Sequence, residues 1–589
     1  MLPKGFICRG LAIAGLSFTF AYSAFAAPAA SSPVGSSNVT VADPTVPRPP
    51  GTPCVVQLFS NDTFDDYATR PFSYTPPTGC QGHWSKVVLE ADFSVTAGIQ
   101  YDRTATIWLG GVNLYFGTTE EPSPTVAPSW HVERDLTDYA SLLGHAGQGQ
   151  AIIGNTVNST YTGVIHGSAR LLFYPASVLA PPAQVPDAVY PLGSDPVGST
   201  VSLNNSTSQL TKTLSLPRNV ERAYLDVFAQ SQNADEFWYT CVPDQYASEV
   251  QECGGGNFRE AEVSIDGQPA GVAPVYPWIY TGGVDLFLWS PTPGVQTLNF
   301  MPYRVDLTPF AGILSNGAQH TVALSVAGAN NYFSATASLL VYLDPHAKQV
   351  SGQIVGNTLA NQPPTPTISN TLSTDASGNV TGGITTALSR HFVIQGYANT
   401  SHGRVDTTVD QTVGFSNAQN FTVNATTNDQ IIDQLTTMDG VSRSRVGGFV
   451  TGEYREHLRY PLHLNVDLMT TSNGYTMVTT AHQGYEQHSA NQLFGITLYE
   501  AHVSNTVDGT DTMDLDANFN ITGHTGQQGT QAFAFRDSLG GCYRSSVASS
   551  NNAVTAYTSG AGCPGGNNRV YWFTHPDGSP YNGNAILGW

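Results

Sequence analysis

The chain has 589 residues, with 44 Asp or Glu against 23 Lys or Arg, a net charge of −21 at pH 7 with histidine neutral. So acidic a protein has no basic field on which to gather phosphates, which excludes nucleic acid as an expected partner. The length exceeds one compact core, and 58 glycines and 37 prolines with almost no runs at helical period point to several β domains.

In chain order, residues 1–26 read as an export signal. Lys4 and Arg9 form a short basic region, Leu11 to Tyr22 is mostly apolar, and Ala24-Phe25-Ala26 offers a small-residue cleavage site. The apolar run falls short of the roughly 20 residues of a membrane helix, and no later run approaches that length, so no membrane contact is expected. The expected product is secreted and monomeric. Its removal leaves 21 basic and 44 acidic residues, a net charge of −23, with Lys86, Lys212 and Lys348 as the remaining lysines. Carboxylates in such excess repel one another at neutral pH and less so in acid, which favours an acidic working range. Residues 27–52, rich in Pro, Ala, Ser, Val and Thr, read as a flexible leader.

Six cysteines remain after the signal, in sequence-close pairs: Cys54 and Cys80, Cys241 and Cys253, Cys542 and Cys563. An even count in an exported chain argues for disulfides, and the lack of a C-x-x-C spacing argues against a metal. A first β unit is expected over residues 53–187, ending in the Pro-rich joint 180–186. A second follows over 188–350 and closes on the apolar strand Leu339-Leu-Val-Tyr-Leu343. Residues 351–589 form a third β-rich region, with Phe392-Val-Ile-Gln395, Leu462 to Leu468 and Tyr475 to Thr480 as strands. The economical class is all-β, built from sandwiches.

The first two units echo each other. His131 to Leu143 matches Tyr303 to Leu314, with Asp135 and Thr137 answering Asp306 and Thr308; upstream, Lys86 to Ser94 matches Arg222 to Gln230. Between those echoes lie Tyr101 to Gly110 and Phe258 to Gly267, so Asp102-Arg103 and Arg259-Glu260 occupy about the same place in each copy. Carboxylates at equivalent strand ends of tandem domains could share one acidic cleft. The second copy also carries insertions: one holds Asp235-Glu-Phe-Trp-Tyr239 and the Cys241 to Cys253 loop, another Tyr276 to Asp285 with Trp278. Insertions of this size read as site walls.

The usual catalytic signatures are absent: there is no G-x-S-x-G, no H-E-x-x-H and no phosphate loop. Glu486 and His488 with His482 could ligate a metal, but alternation along a strand explains them more cheaply, so neither metal nor cofactor is expected. What remains are carboxylates framed by aromatics. Metal-free hydrolysis uses one carboxylate as base or nucleophile and another as acid, and aromatic faces suit sugar rings while desolvating a carboxyl. The candidates are Asp102, Glu236 and Glu260 for catalysis. Each has a plainer reading: Asp102 with Arg103 as an ion pair, Glu260 alternating with Glu262 towards solvent, and Trp278 as core.

These motifs resemble a known family. Trp84 to Glu90, Gln100 to Leu109, Thr118-Thr-Glu-Glu-Pro-Ser123, Asp235 to Tyr239, Phe258-Arg-Glu260, Ile279-Tyr-Thr-Gly-Gly283, Tyr303 to Leu314, His402-Gly403, Arg459-Tyr-Pro-Leu462 and Phe535 to Tyr543 are similar to the acidic peptide N-glycanase A family. The resemblance spans roughly residues 52–565 and leaves out the leader and the last two dozen residues. It implies two tandem jelly-roll-like sandwiches with a C-terminal β-rich domain. It also implies hydrolysis of the amide joining an N-glycan to asparagine, with N-glycopeptides and N-glycoproteins as substrates. The flavobacterial peptide N-glycanase is distantly similar, and its aromatic-Asp-Arg tripeptide falls on Tyr101-Asp102-Arg103. Its second glutamate would fall on Gly255, so Glu236, Glu252 or Glu260 must serve instead. Arg103 and Arg259 are then expected to stabilise charge on the carbonyl oxygen, and Tyr101, Glu121, Asp235, Trp238 and Trp278 to line the substrate site. The rival classes are a glycan-binding protein without turnover and a secreted acid glycosidase or peptidase.

Overall fold

The computed structural model describes residues 34–580 apart from Gln81. The expected signal, residues 1–26, lies outside the described residues. Among those described, no helix is long and apolar enough to cross a membrane.

Alternating apolar residues bounded by Gly and Pro produce strands almost throughout. The first unit contains β1 (Cys54–Phe64), β2 (Arg70–Tyr74), β3 (Trp84–Val95), β4 (Thr104–Leu109), β5 (Val112–Thr118), β6 (Ser129–Asp135), β7 (Gly147–Ile153) and β8 (Ile165–Pro175). They form two antiparallel sheets, ordered β1-β8-β3-β6 and β2-β7-β4-β5. The second unit contains β9 (Ala188–Pro191), β10 (Val201–Leu203), β11 (Leu210–Ser215), β12 (Val220–Ser231), β13 (Glu260–Ile265), β14 (Gln268–Pro274), β15 (Tyr303–Asp306), β16 (Gln319–Ala327) and β17 (Phe333–Leu343). Its sheets run β10-β17-β12-β15, with β9 beside β17, and β11-β16-β13-β14. Counted from β1 and from β10, the two orders are the same, and both interleave two Greek keys as a jelly roll does. The sequence echoes fall on equivalent strands: β3 with β12, β4 with β13, β6 with β15. In each copy the aspartate that ends the last of these strands, Asp135 or Asp306, accepts the backbone N–H of Thr137 or Thr308 and opens a short helical turn.

The remainder is a single twelve-stranded antiparallel sheet, whose central strands, from Val380–Thr400 to Ile496–Asp516, run about twenty residues each as a meander. One face is buried at every second residue. That face packs on the second jelly roll, where Tyr276 meets Tyr460 and Phe258 meets Phe415 in edge-on contacts with centroids 4.9 and 5.2 Å apart. The second jelly roll and the long sheet therefore share one core, while the first jelly roll has its own.

The described part of the leader, residues 34–52, is not loose. Gly35 and Ser36 pair with Val554, the backbone of buried Ala42 donates to Gln531, and Asp43 accepts from Asn505 and Gln531. Arg48 then reaches Glu90 and Glu133 of the first jelly roll. Composition alone reads this segment as a linker because its partners, two buried amides on the long sheet, lie more than 450 residues away. The C-terminal stretch packs likewise: Lys86 donates to the carbonyl of Trp572, and Tyr485 to that of Gly578 at 3.3 Å. Disulfides join Cys54 to Cys80, Cys241 to Cys253 and Cys542 to Cys563.

Candidate active site

The two jelly rolls meet along the end of β5 and the start of β4. Phe116 packs between Phe228 and Phe300, each 5.5 Å away, and the backbone of Thr118 donates to Thr297. The loop around residues 276–300 crosses this seam, where Thr281 donates its hydroxyl to the carbonyl of Thr119 at 2.7 Å. Thr104, at the first position of β4, is held by Gln232, which donates to its hydroxyl at 3.1 Å.

Asp102 lies in the turn just ahead of β4. The backbone N–H of Gly282 donates to its Oδ2 at 2.9 Å, and its own backbone N–H donates to Oε1 of Glu121 at 3.1 Å. A Cβ on Gly282 would fall 2.1 Å from that Glu121 oxygen and 3.3 Å from the Asp102 carboxylate, so only glycine fits the approach. Burial raises the pKa of Asp102, opposed by the Gly282 hydrogen bond and the charge of Arg103. Burial and the Asp102 charge push Glu121 up to about 8. Glu120 is raised well above its ordinary value by burial, then by Glu121 and Asp102. Glu236 is pushed up to about 7, by burial and then by Asp102. Four carboxyl groups thus share one desolvated seam, where their charged forms are mutually costly.

Asp235 holds Glu236 there. It is fully buried, Arg259 donates to its Oδ1 through Nε at 3.1 Å and Nη2 at 2.7 Å, and the backbone N–H groups of Asn330, Asn331 and Tyr332 donate to its Oδ2. So dense a set of partners anchors the turn that carries Glu236. Asp235 and Arg259 are therefore positioning residues without a free face for substrate, which corrects the expectation that they bind it.

Three further expectations change. Glu260 is 1 % exposed and ion-paired with Arg390 of the long sheet, which also reaches Glu262 at 2.7 Å. The long sheet seals that end of the second jelly roll, so Glu260 is not brought to Asp102. Trp238 is fully buried, its ring 6.4 Å from Phe415. Trp278 is 5 % exposed, packed 4.3 Å from Phe300, and lines a separate 290 Å³ cavity between the second jelly roll and the long sheet. Both tryptophans serve the core because the long sheet covers the faces that would otherwise be open. Glu252 rises to about 7 through burial alone.

Of the remaining candidates, Tyr101 is 47 % exposed and rests 5.6 Å from Tyr161, leaving ring surface free at the rim. Arg103 donates to Gln100 at 2.7 Å, while its buried Nε has no partner among the described residues. Glu120 and Gly282 were not singled out from the sequence. Both stand in stretches that the sequence does mark, the Glu120-Glu121 doublet after β5 and the Gly282-Gly283 pair, but nothing local reveals that both glutamates turn inward or that Gly282 is the glycine set against Asp102.

The seam of the double jelly roll thus gathers several carboxyl groups with raised pKa, the residue types that two-carboxyl hydrolysis employs. Residues 43–360 match the family described as peptide N-acetyl-beta-D-glucosaminyl asparaginase amidase A, and residues 384–462 match the C-terminal domain of that family. The chain belongs to this family. It is 27 % identical over 537 residues to the peptide-N4-(N-acetyl-beta-glucosaminyl)asparagine amidase A of Prunus dulcis, covering 87 % of this chain and 91 % of that protein. Among solved structures it is similar to PNGase F, a glycosylasparaginase from Flavobacterium meningosepticum, at 14 % identity and a TM-score of 0.34, covering 50 % of this chain and 96 % of that one. It is also similar to PNGF-II, at 12 % identity and a TM-score of 0.33, covering 50 % of this chain and 66 % of the other.

Proposed function

We propose that this protein hydrolyses the β-amide between asparagine and the first N-acetylglucosamine of an N-glycan, releasing the glycan as a glycosylamine and leaving aspartate. The observation that carries this reading is the grouping of Asp102, held by the Gly282 N–H, with Glu121 and Glu236 at the seam. Asp102 is the base: the Gly282 N–H and Arg103 oppose the upward pull of burial on its carboxylate, whereas Glu121, with similar partners, is still pushed up to about 8. It takes a proton from water as the oxygen attacks the side-chain carbonyl. Glu236 carries a proton below pH 7 and gives it to the departing amide nitrogen. Arg103, whose Nε has no partner among the described residues, supplies positive charge to the carbonyl oxygen as charge develops there. Glu121, neutral in acid, offers a donor to a sugar hydroxyl, and Tyr101 offers a ring face at the rim. Glu260 has no part in this scheme.

The raised carboxyl groups support an acidic working range, and the three disulfides support export to an oxidising compartment. The test is mass spectrometry of a defined N-glycopeptide after incubation with the protein at mildly acidic pH. A whole glycan released, with aspartate where asparagine stood, is the expected result. A peptide retaining one N-acetylglucosamine, a cut backbone, or an unchanged glycopeptide across the pH range overturns it.

A further inference from the structure

The outer face of the long sheet carries histidines paired with carboxylates on the neighbouring strand. His457 faces Asp439, His463 faces Asp433 and His482 faces Asp508 as direct cross-strand partners, each through Nδ1 at 2.6–2.8 Å. Each of these is one imidazole with one carboxylate. Histidines also face one another between His463 and His482 and between His457 and His488; what differs between strands Gly474–Leu493 and Ile496–Asp516 is that His488 and His502 face each other with no directly opposite carboxylate, which comes instead from the diagonal position, Glu500.

There the two imidazole rings lie parallel, with centroids 4.1 Å apart and planes 4° off. Both turn Nε2 to one oxygen, Oε1 of Glu500, at 2.8 Å from His488 and 3.4 Å from His502. The three ligand atoms lie within 4.8 Å of one another. With metal–ligand bonds of about 2.0–2.2 Å, adjacent ligand atoms stand about 2.8–3.5 Å apart, the spacing found here on the two carboxylate edges.

We propose that His488, Glu500 and His502 form a three-ligand site for a zinc-class divalent cation on the outer face of the long sheet. Binding turns the two rings out of their parallel stack so that both in-plane lone pairs meet the cation beside the Glu500 carboxylate, and its remaining coordination positions open into a surface groove of about 750 Å³. Of the groove's cations, Arg459 is neutralised by Glu486 at 3.0 Å. Arg536, in register with His502, and Arg544 also line the groove. The ligands come from two adjacent strands, so the cation cross-links them. The same donor set, two imidazoles and a carboxylate, suits zinc, nickel or copper over calcium or magnesium. The reading is independent of the amidase site.

The test is calorimetric titration of Zn²⁺ into untagged, metal-stripped full-length protein, with the thermal midpoint followed in parallel. One-to-one binding is expected, with a higher midpoint, because the cation binds the folded strands and not the unfolded chain. Glu500→Gln and His488→Gln should each weaken binding by about tenfold or more. His463→Ala, which removes an imidazole from a simple pair, should leave it unchanged. Absence of one-to-one binding in the wild type, retention of full affinity by both ligand variants, or an equal loss in His463→Ala overturns the site. Ca²⁺ binding as tightly as Zn²⁺ overturns the assignment of the cation class.

Discussion

The two jelly rolls begin their fourth strand at equivalent places and use them in opposite ways. Ahead of β4, Asp102 stays at an open seam and meets Glu121, Glu236 and the N–H of Gly282. At the head of β13, Glu260 is sealed beneath the long sheet and tied to Arg390. The difference lies in what covers the strand end. The second jelly roll shares its core with the long sheet, whereas the first keeps a core of its own. A carboxylate under a sheet must be paired, and one at a seam can keep a shifted pKa for chemistry.

Several substitutions would break or sharpen this contrast. Asp102→Asn should fold normally and lose about 10²–10⁴-fold of turnover, measured on a fluorescent N-glycopeptide. Retention of more than a small fraction of wild-type rate would remove Asp102 from the mechanism. Arg390→Met should do the reverse: it strips the partner from two carboxylates, so about 3–5 kcal/mol of stability should be lost in denaturant unfolding, with turnover per folded molecule unchanged. Gly282→Ala places a methyl group against Glu121 and Asp102, and displacement of that loop should cost about 10²-fold in kcat/KM with little change in thermal midpoint.

Two smaller effects concern proton equilibria and the companion carboxyl. Glu236→Gln should cut turnover while Glu260→Gln should not, and equal losses would mean that Glu260 does contribute. The pH dependence has a definite sign. Glu121 and Glu236 have folded pKa values near 8 and 7, above the unfolded value, so the folded state holds more protons between about pH 4.5 and those values. Stability is thus greater at pH 5 than at pH 8, falling as pH rises through that window. Glu121→Gln should flatten this dependence in thermal scans, and an unchanged slope would count against the buried carboxyl cluster. Turnover should fall above pH 7 as Glu236 loses its proton.

Much of this could be read along the chain. Period-two alternation with Gly and Pro boundaries marks the all-β class, and the pairing of six cysteines follows their proximity. Asp102-Arg103 stands out because it repeats the position of Arg259-Glu260. The same repeat also misled, since equivalent sequence positions suggested one shared acidic site. What separates Asp102 from Glu260, turns Trp238 and Trp278 into core, and fixes residues 34–52 as a strap is the packing of a sheet from the far end of the chain. Local residue patterns are set by neighbours two to four positions away and determine strands, turns and their exposed or buried parity. Which buried face meets which partner depends on contacts more than a hundred residues apart, such as Glu260 with Arg390 or Asp43 with Gln531. Those contacts set desolvation, and desolvation decides which carboxylates are structural and which are reactive.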